Sequence, residues 1–251
     1  MSILCRVLPY ERADGPANMA LDEALLDVVA VGDQTAYLRT YGWTIPTLSL
    51  GYFQHLAEAR SDPRWSDVAL VRRLTGGGSI WHHHEVTYAL VVPGVHPLAH
   101  PNTKLYRAVH LAIADTLASF GVHADRRGDT GPQTLDKQKR PLLCFTDPNP
   151  EDIVTRGIKI VGSAQRRRAD AILQHGSVLL AQSCHAPELP GVYDVADVHA
   201  EPREWSDRLL ARIPDALGMH PVAISVPNEV RERAAELERT VYRSPTWTER
   251  R

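Results

Sequence analysis

The sequence has few of the features that mark specialised protein classes. Its 251 residues include only three cysteines and no Cys-x-x-Cys pair, which argues against a disulfide framework and against a thiolate zinc site. No apolar run approaches the roughly 20 residues that a membrane span needs, and the first residues lack the pattern of a signal peptide. We therefore expect a cytoplasmic protein that does not enter the membrane.

A strong charge imbalance is also missing. The formal net charge is −2 at pH 7, which argues against a protein that binds nucleic acid over a broad surface. Apolar residues make up 43% of the chain, and this fraction suits an ordinary soluble core. Neither internal repeats nor low-complexity tracts occur. The length then allows one large domain or two small ones.

Four segments have apolar residues at helical spacing. The first covers residues 18–29, with Asn18 as its expected N-cap, and the second covers residues 104–120. Two more helices are predicted near residues 203–217 and 228–242. The helices therefore lie both between the strands and at the end of the sequence.

Short apolar segments between turn residues predict the strands. These segments are 36–41, 47–52, 68–73, 86–92, 153–154, 158–161 and 177–180. Residues 125–140 are polar and lack periodicity, which predicts a long surface loop. The whole pattern predicts an α+β fold, a mixed β-sheet with flanking helices. We expect a main domain over residues 1–200 and a helical extension over residues 201–251 packed on it.

A glycine triplet follows one predicted strand, in Arg72-Arg73-Leu74-Thr75-Gly76-Gly77-Gly78. Glycines let backbone N–H groups approach a ligand closely, and the two arginines add positive charge suited to a carboxylate or a phosphate. The spacing fits neither a P-loop nor a dinucleotide fingerprint. The segment is either a ligand-binding loop or a flexible turn with solvated arginines, and the glycines alone do not decide between these interpretations.

Three consecutive histidines, His82, His83 and His84, stand before Glu85. Neighbouring residues of a strand point to opposite faces, so these side chains are poorly placed to surround one metal ion. No second cluster of His, Asp or Glu has ligand spacing. We expect no metal site, one histidine in the pocket behind the glycine loop, and the others in solvent.

Lys159 alternates with apolar residues in Ile158-Lys159-Ile160, so a strand would place it on the face opposite to the two isoleucines. The small residues Gly162, Ser163 and Ala164 follow and would admit a ligand chain alongside. This pattern indicates a lysine in a pocket. The alternative is a lysine on an edge strand that discourages aggregation.

Cys144 lies between the polar segment and a stretch rich in Pro, Asn and Asp, so it need not be a core thiol. Cationic neighbours lower the pKa of a thiol and make it a nucleophile, and Lys159 and nearby arginines are candidates for that role. The alternative is a small buried apolar residue, which is our interpretation of Cys5 and Cys184.

Several segments, taken in order, resemble the biotin/lipoate protein ligase family and especially its lipoate branch. They are Asn18-Met19-Ala20-Leu21-Asp22-Glu23, Leu48-Ser49-Leu50-Gly51-Tyr52-Phe53-Gln54, Arg72-Arg73-x-Thr75-Gly76-Gly77-Gly78-x-x-x-His82, Glu85-x-Thr87-Tyr88 and Lys159-x-x-Gly162-Ser163-Ala164-Gln165. The branch contains ATP-dependent lipoate ligases, octanoyltransferases that use an enzyme thioester, and amidotransferases between lipoyl-accepting proteins. Cys144, one segment ahead of the Lys159 strand, is similar to the pattern of the cysteine-dependent octanoyltransferases.

The resemblance implies a ligase-like catalytic domain that moves octanoyl from acyl carrier protein to a lysine of a lipoyl-domain protein, either the glycine cleavage carrier or a dehydrogenase subunit. Cys144 and Lys159 would be the catalytic residues. The substrate-binding residues would be Arg72, Arg73, Gly76, Gly77, Gly78, His82, Gly162, Ser163 and Ala164. Such an enzyme needs no cofactor and no metal, and it has neither nucleic acid nor membrane among its partners.

Three alternatives stay open at this stage. An amidotransferase would pass the acyl group between two lipoyl-accepting proteins, also through a cysteine. The full triplet Gly76-Gly77-Gly78 is the pattern of lipoate ligases, which would use ATP and Mg²⁺ and for which Cys144 would be incidental. A non-catalytic acyl-binding module would use the same pocket without turnover.

Overall fold

The structure, a computed structural model, describes residues 3–129 and 141–251. The strands in these ranges are β1 (Leu4–Val7), β2 (Glu11–Ala13), β3 (Ala36–Trp43), β4 (Thr47–Leu50), β5 (Ala69–Arg72), β6 (Ile80–His82), β7 (Glu85–Pro93), β8 (Asp125–Arg126), β9 (Ile153–Thr155), β10 (Ile158–Arg168), β11 (Ala171–Leu179) and β12 (His220–Ala223). The helices are α1 (Gly15–Ala30), α2 (Leu56–Arg60), α3 (Asn102–Ser119), α4 (Val192–Val195), α5 (Pro202–Ala216), α6 (Asn228–Leu237) and α7 (Pro245–Thr248).

Most of the strands form one mixed sheet. Its order is β12-β1-β3-β7-β11-β10-β9-β8, with β2 paired to β3. The pairs among β12, β1, β3 and β2 are parallel, whereas β3 to β8 along this order are antiparallel. A second sheet, β5-β4-β6, carries the segment that leads into the glycine triplet. This arrangement confirms the predicted α+β fold, a mixed sheet with flanking helices.

Helices cover both faces of the main sheet, because its central strands are apolar on both sides. Tyr88, Leu90 and Val92 of β7 pack with α3 and α5, whereas Ala89 and Val91 pack with α1 and α6. This alternation is the period of two expected of a strand buried on both faces. The site described below lies on the α1 side of the sheet.

The N-cap prediction for the first helix was wrong. The helix begins at Gly15, and its N-cap is Asp14, whose side chain accepts from the amide of Ala17 at 3.1 Å. Asn18 is fully buried and donates to the carbonyl oxygens of Ala13 and Gly42. Its amide therefore ties the helix to β3, a long-range role that a local capping pattern does not reveal.

The segment after residue 200 is less purely helical than the sequence suggested. Besides α5, α6 and α7 it contributes β12, which pairs with β1 at the edge of the main sheet. The division at residue 200 stays a prediction. Of the predicted loop at 125–140, Asp125–Arg126 forms β8 and Arg127–Asp129 a short helical turn, and residues 130–140 lie outside the described residues.

Across the described ranges, the chain has no helix both long and apolar enough to cross a bilayer.

Candidate active site

Lys159 is buried in β10, and its ammonium group has three close oxygen neighbours. Nζ donates to the carbonyl oxygens of Cys144 at 2.9 Å and Asp147 at 3.0 Å, and it lies 3.0 Å from Oδ2 of Asp152. The side chains of Lys159 and Asp152 are 3% and 1% exposed. An unpaired charge so deep in the protein would cost several kcal/mol, so Asp152 stabilises the ammonium.

Asp152 is a buried partner of Lys159 that the sequence alone did not indicate as part of the site. Burial raises the pKa of its carboxyl group, and the opposite charge of Lys159 and the hydrogen bond that it donates lower this pKa. The amide of Asn149 also donates to Oδ2 at 2.7 Å. A lysine predicted on an apolar strand needs a carboxylate partner, and that requirement was the available signal.

Cys144 begins a single helical turn, and the glycine loop holds it in place. Its amide donates to the carbonyl oxygen of Ser79 at 2.7 Å, and the amide of Ser79 donates to that of Leu142 at 2.7 Å. A Cβ built on Gly77 would lie 4.0 Å from the Cys144 sulfur, and one on Gly78 only 2.9 Å from the Cys144 amide nitrogen. The partly exposed thiol therefore lies beside the glycines.

Gly162 has no Cβ and therefore leaves room for the side chain of Lys159. A Cβ at this position would lie 2.9 Å from Cε of Lys159 and 3.7 Å from the ring of Phe145. Gly162, Ala164 and Arg166 point to the same face of β10, because the pairing with β11 is regular from Val161 to Arg168. This face contains the lysine and the cysteine turn.

Ser163 points to the other face of β10. Its Oγ lies 2.7 Å from Tyr88 Oη and 2.7 Å from Nε2 of the fully buried His110. Burial, together with the nearby charge of Lys159, lowers the pKa of His110 to about 4. His110 is thus neutral near pH 7, and Nδ1 carries the proton donated to the carbonyl oxygen of Glu151 at 2.5 Å. The side chain of Ser163 is therefore used in packing the strand against α3.

Arg73 lies under the glycine loop and binds its carbonyl groups. Nη2 donates to Gly76 at 2.8 Å and to Gly78 at 2.6 Å, and Nη1 donates to the carbonyl oxygen of Ser49 at 3.1 Å. Burial lowers the pKa of Arg73 to about 10, which leaves the group charged at neutral pH. Within the described chain, the amides of Gly76, Gly77 and Gly78 donate no hydrogen bond. The loop is therefore fastened by its carbonyls and keeps its N–H donors.

Arg72 points away from the thiol. Its guanidinium is fully buried and donates to the carbonyl oxygens of Gly51 at 2.9 Å, Gln54 at 2.7 Å and Thr248 at 2.8 Å. The indole of Trp247 in turn donates to the Arg72 carbonyl oxygen at 2.8 Å. These contacts join the strand before the glycine loop to residues 245–251.

His82 is buried behind the loop. Its Nδ1 lies 2.7 Å from Oε1 of Glu85 and its Nε2 lies 2.8 Å from Oγ of Ser49, while its ring stacks on Trp43. Burial lowers the pKa of His82, although the carboxylate of Glu85 opposes the shift. Ser49 also accepts from Arg73 at 3.2 Å. His82 thus helps to position Arg73 through Ser49, which contacts both side chains.

A second series of buried hydrogen bonds supports Arg73 at its Nε atom. Its Nε donates to Oγ1 of Thr75 at 3.2 Å, Thr75 lies 2.7 Å from Nε2 of His175, and Nδ1 of His175 lies 2.9 Å from Asp22. Asp22 also pairs with Arg39 at 2.9 Å. The motif residues Asp22, Ser49, Thr75, His82 and Glu85 therefore belong to one hydrogen-bonded network around Arg73.

The remaining histidines of the triplet lie at the surface side of this network. His83 and His84 stack with ring centroids 3.6 Å apart, and His84 is exposed. In residues 3–129 and 141–251, no group of three or more His, Cys, Asp or Glu side chains is placed to hold a metal ion.

The arrangement is suited to nucleophilic chemistry at a carbonyl group. A partly exposed thiol lies beside Gly77 and Gly78, and a buried ammonium donates to the carbonyl oxygen of the same cysteine. Backbone N–H groups aimed at a developing oxyanion stabilise acyl transfer. Among the predicted residues, the structure brings together Cys144, Lys159, Gly77, Gly78 and Gly162. It places Arg72, Arg73, His82 and the side chain of Ser163 behind them.

The sequence matches known proteins over most of its length. Residues 14–194 match the family described as Lipoyl protein ligase A/B catalytic domain. The chain belongs to this family. The octanoyltransferase LipM of Staphylococcus aureus is 38% identical over 167 residues, 64% of this chain and 60% of that protein. That of Lysinibacillus sphaericus is 35% identical over 206 residues, 79% of this chain and 71% of that protein.

These matches confirm the predicted resemblance, including its likeness to octanoyltransferases of the LipM type. The chain matches 60% of the length of the S. aureus relative. Solved structures of the same fold include a lipoate-protein ligase A bound with ATP (TM-score 0.78, 22% identity, 98% of this chain and 99% of that chain). A bipartite lipoate protein ligase from Thermoplasma acidophilum also matches (TM-score 0.75, 20% identity, 98% and 96%).

Proposed function

We propose that the protein is an acyltransferase that moves octanoyl from acyl carrier protein to a lysine of a lipoyl-domain protein through a thioester on Cys144. The observation that carries this proposal is the position of the partly exposed thiol between the glycine loop and the Lys159–Asp152 pair. The LipM relatives, which are named octanoyltransferases, support the choice of acyl group.

In the first step the Cys144 thiolate attacks the thioester carbonyl carbon of the donor. A new C–S bond forms, and the negative charge on the carbonyl oxygen is met by N–H groups of the glycine loop. The bond to the donor sulfur then breaks, and the donor leaves as a thiolate that takes up a proton. Ping-pong kinetics follow from this order.

In the second step the amine of the acceptor lysine attacks the Cys144 thioester, and the thiolate leaves as the amide forms. The amine must lose a proton first. Lys159 is an unsuitable base, because its ammonium already donates to the Cys144 and Asp147 carbonyls beside Asp152. His82 is also unsuitable, since both of its ring nitrogens have buried partners. This first proton therefore leaves to water, and the second proton, released from the nitrogen as the amide forms, is taken up by the departing Cys144 thiolate.

Lys159 acts through its position. Its hydrogen bonds to the Cys144 and Asp147 carbonyl oxygens span the cysteine turn and hold Cys144 in place beside the glycine loop. We assign Arg72, Arg73 and His82 to the support of the loop, and Gly162 and Ala164 to the wall along which the acyl chain lies. In this account the cytoplasmic reaction needs neither ATP nor a metal ion.

A ligase reaction is the second candidate. The glycine triplet favours it, and one structure of the same fold is a ligase bound with ATP. Nucleotide phosphates would then meet the loop amides, and Cys144 would have no covalent role.

One assay separates the two candidates. Purified protein is given octanoyl-carrier protein and a lipoyl domain without ATP, and the octanoylated domain is measured by mass. The transferase account expects product from the wild type and at least about a thousandfold less from Cys144→Ala, because the nucleophile is lost. Product that requires ATP and octanoate, and that survives Cys144→Ala, would instead establish the ligase.

A further inference from the structure

A group of exposed and half-buried arginines and aromatic rings lies beside the glycine loop, and we call it the arginine rim. Its members are Arg166, Arg250, Arg251, Tyr52 and Phe53. The guanidinium groups of Arg166 and Arg250 lie 5.0 Å and 4.1 Å from the ring centroid of Tyr52, and that of Arg251 lies 5.5 Å from the ring of Phe53. The aromatic rings thus hold three cations together.

The rim borders the proposed nucleophile. A Cβ built on Gly76 would lie 3.7 Å from the ring of Phe53, and the amide of Tyr52 donates to the carbonyl oxygen of Thr75 at 2.8 Å. Gln54, two residues after Tyr52, donates to the carbonyl oxygen of Leu142 at 3.2 Å, on the segment that leads to Cys144. Arg166 points to the same face of β10 as Gly162.

The three rim arginines form no ion pair with an acidic side chain of the described residues. Across residues 3–129 and 141–251, none of the three arginines has a carboxylate within 4.0 Å, and Glu249 of the same segment forms no ion pair with them. The Nε of Arg166 is buried without a hydrogen-bond partner in these ranges. The hydrogen bond from Arg250 lowers the pKa of Tyr52, as do the charges of all three arginines.

The patch gathers positive charge in a chain that is slightly acidic overall, with 30 acidic residues against 28 basic ones. Elsewhere on the α1 side, Arg168, Arg233 and Arg243 are paired with carboxylates. Phe53 is 60% exposed in the middle of the excess charge. An exposed ring inside an uncompensated cationic patch has the composition of a protein interface hot spot.

We propose that the arginine rim is the docking surface for the protein that carries the acyl donor, with acidic side chains of that carrier facing the three arginines. The inference rests on the proposed function. Charge decides between the two protein substrates, because the acceptor must bring a lysine amine to this edge of the site, and three arginines repel an ammonium group. A carrier with an acidic surface is attracted to the same edge.

The test isolates the donor half-reaction. Acylation of Cys144 is measured without acceptor, using octanoyl-carrier protein or octanoyl-pantetheine, a small uncharged thioester. The triple variant Arg166→Gln/Arg250→Gln/Arg251→Gln is compared with Arg212→Gln, an exposed arginine of α5 on the opposite face of the sheet. We expect kcat/KM for the carrier donor to fall at least about tenfold more than that for the small donor, and the salt dependence to weaken.

The outcomes are distinct. Equal losses with both donors would show that the rim shapes the site itself, and no loss with the carrier would show that it does not dock there. An increased KM for the lipoyl domain in the full reaction, with carrier acylation unchanged, would assign the rim to the acceptor. Each of these results overturns the inference while the wild type still forms its thioester. If the triple variant does not fold, Arg250→Gln/Arg251→Gln is measured in its place. A wild type that is acylated by neither donor would contradict the proposed function instead.

Discussion

Two groups of arginines lie on either side of the glycine loop, and they differ in what surrounds them. Arg72 and Arg73 are buried and donate to carbonyl oxygens of the protein itself. Arg250 and Arg251 are exposed and Arg166 is half-buried, all three lie against aromatic rings, and no acidic side chain pairs with them in the described ranges. Arg72 and Arg73, which directly precede the glycine triplet segment, therefore hold the loop in place. The three rim arginines, which are distant in sequence, are available to contact a partner protein.

The largest effect of this difference is expected for Arg73→Met, which keeps most of the side-chain volume and removes every donor. Carbonyl oxygens of Ser49, Gly76 and Gly78 would lose their buried partner. We expect the free energy of unfolding to fall by about 4 kcal/mol. Urea denaturation followed by circular dichroism measures it, and a loss below about 1 kcal/mol would remove Arg73 from its structural role.

The contrast between buried and surface groups can also be tested at His110, behind β10, through the pH dependence of the free energy of unfolding. The pKa of His110 is about 4 in the folded state, below its ordinary value, so the folded protein disfavours the proton that the unfolded chain accepts. The stabilisation is present above pH 6.5 and is lost as the pH falls toward 4, by about 3 kcal/mol. Urea titrations at several pH values should show this loss for the wild type and a smaller one for His110→Gln. Parallel curves for the two proteins would contradict the assignment.

A smaller effect on stability, with a clear effect on activity, is expected for Gly77→Ala. Gly77 has φ = 94°, a conformation that side chains disfavour, and the added Cβ would lie 3.1 Å from Nη2 of Arg73 and 4.0 Å from the Cys144 sulfur. We expect destabilisation of about 1–2 kcal/mol and at least about a tenfold lower kcat. Gly32→Ala is the matched control, because Gly32 also has positive φ but no atom near its Cβ position. Equal losses of activity in both variants would contradict a local role for Gly77.

The smallest effect on stability is expected at the rim. Arg250→Met makes the same chemical change as Arg73→Met, yet it removes a surface cation over Tyr52 instead of a buried donor set. The free energy of unfolding should change by less than about 0.5 kcal/mol. Denaturation of the two variants side by side gives the comparison directly. A loss at Arg250 as large as that at Arg73 would mean that the rim is structural.

The sequence predicts the secondary structure well where elements are long and periodic. The predicted helix at residues 104–120 is observed as Asn102–Ser119. The pairing of β1 with β12 was not predicted, because it joins short segments from the two ends of the chain and neither has a strong pattern. Asn18 was assigned as a cap because its longer-range acceptor, the Gly42 carbonyl oxygen, is set only by the tertiary fold.

In the site, too, the contacts between residues distant in sequence could not be predicted. Lys159 could be predicted on a buried face from its alternation with Ile158 and Ile160, and the structure buries it. Its partner Asp152 depends on how the turn before β9 folds back, which spacing does not specify. The direction of Arg72 could not be predicted either, since its acceptors lie on segments distant in sequence.

The thioester on Cys144 is the central claim, and mass spectrometry of the digested protein tests it most directly. Wild-type protein is mixed with octanoyl-carrier protein without ATP or acceptor, quenched in acid and digested. We predict one octanoyl adduct on the peptide that contains Cys144, removable by hydroxylamine and absent from Cys144→Ser under the same treatment. An unmodified Cys144 in protein that still octanoylates a lipoyl domain would contradict the account.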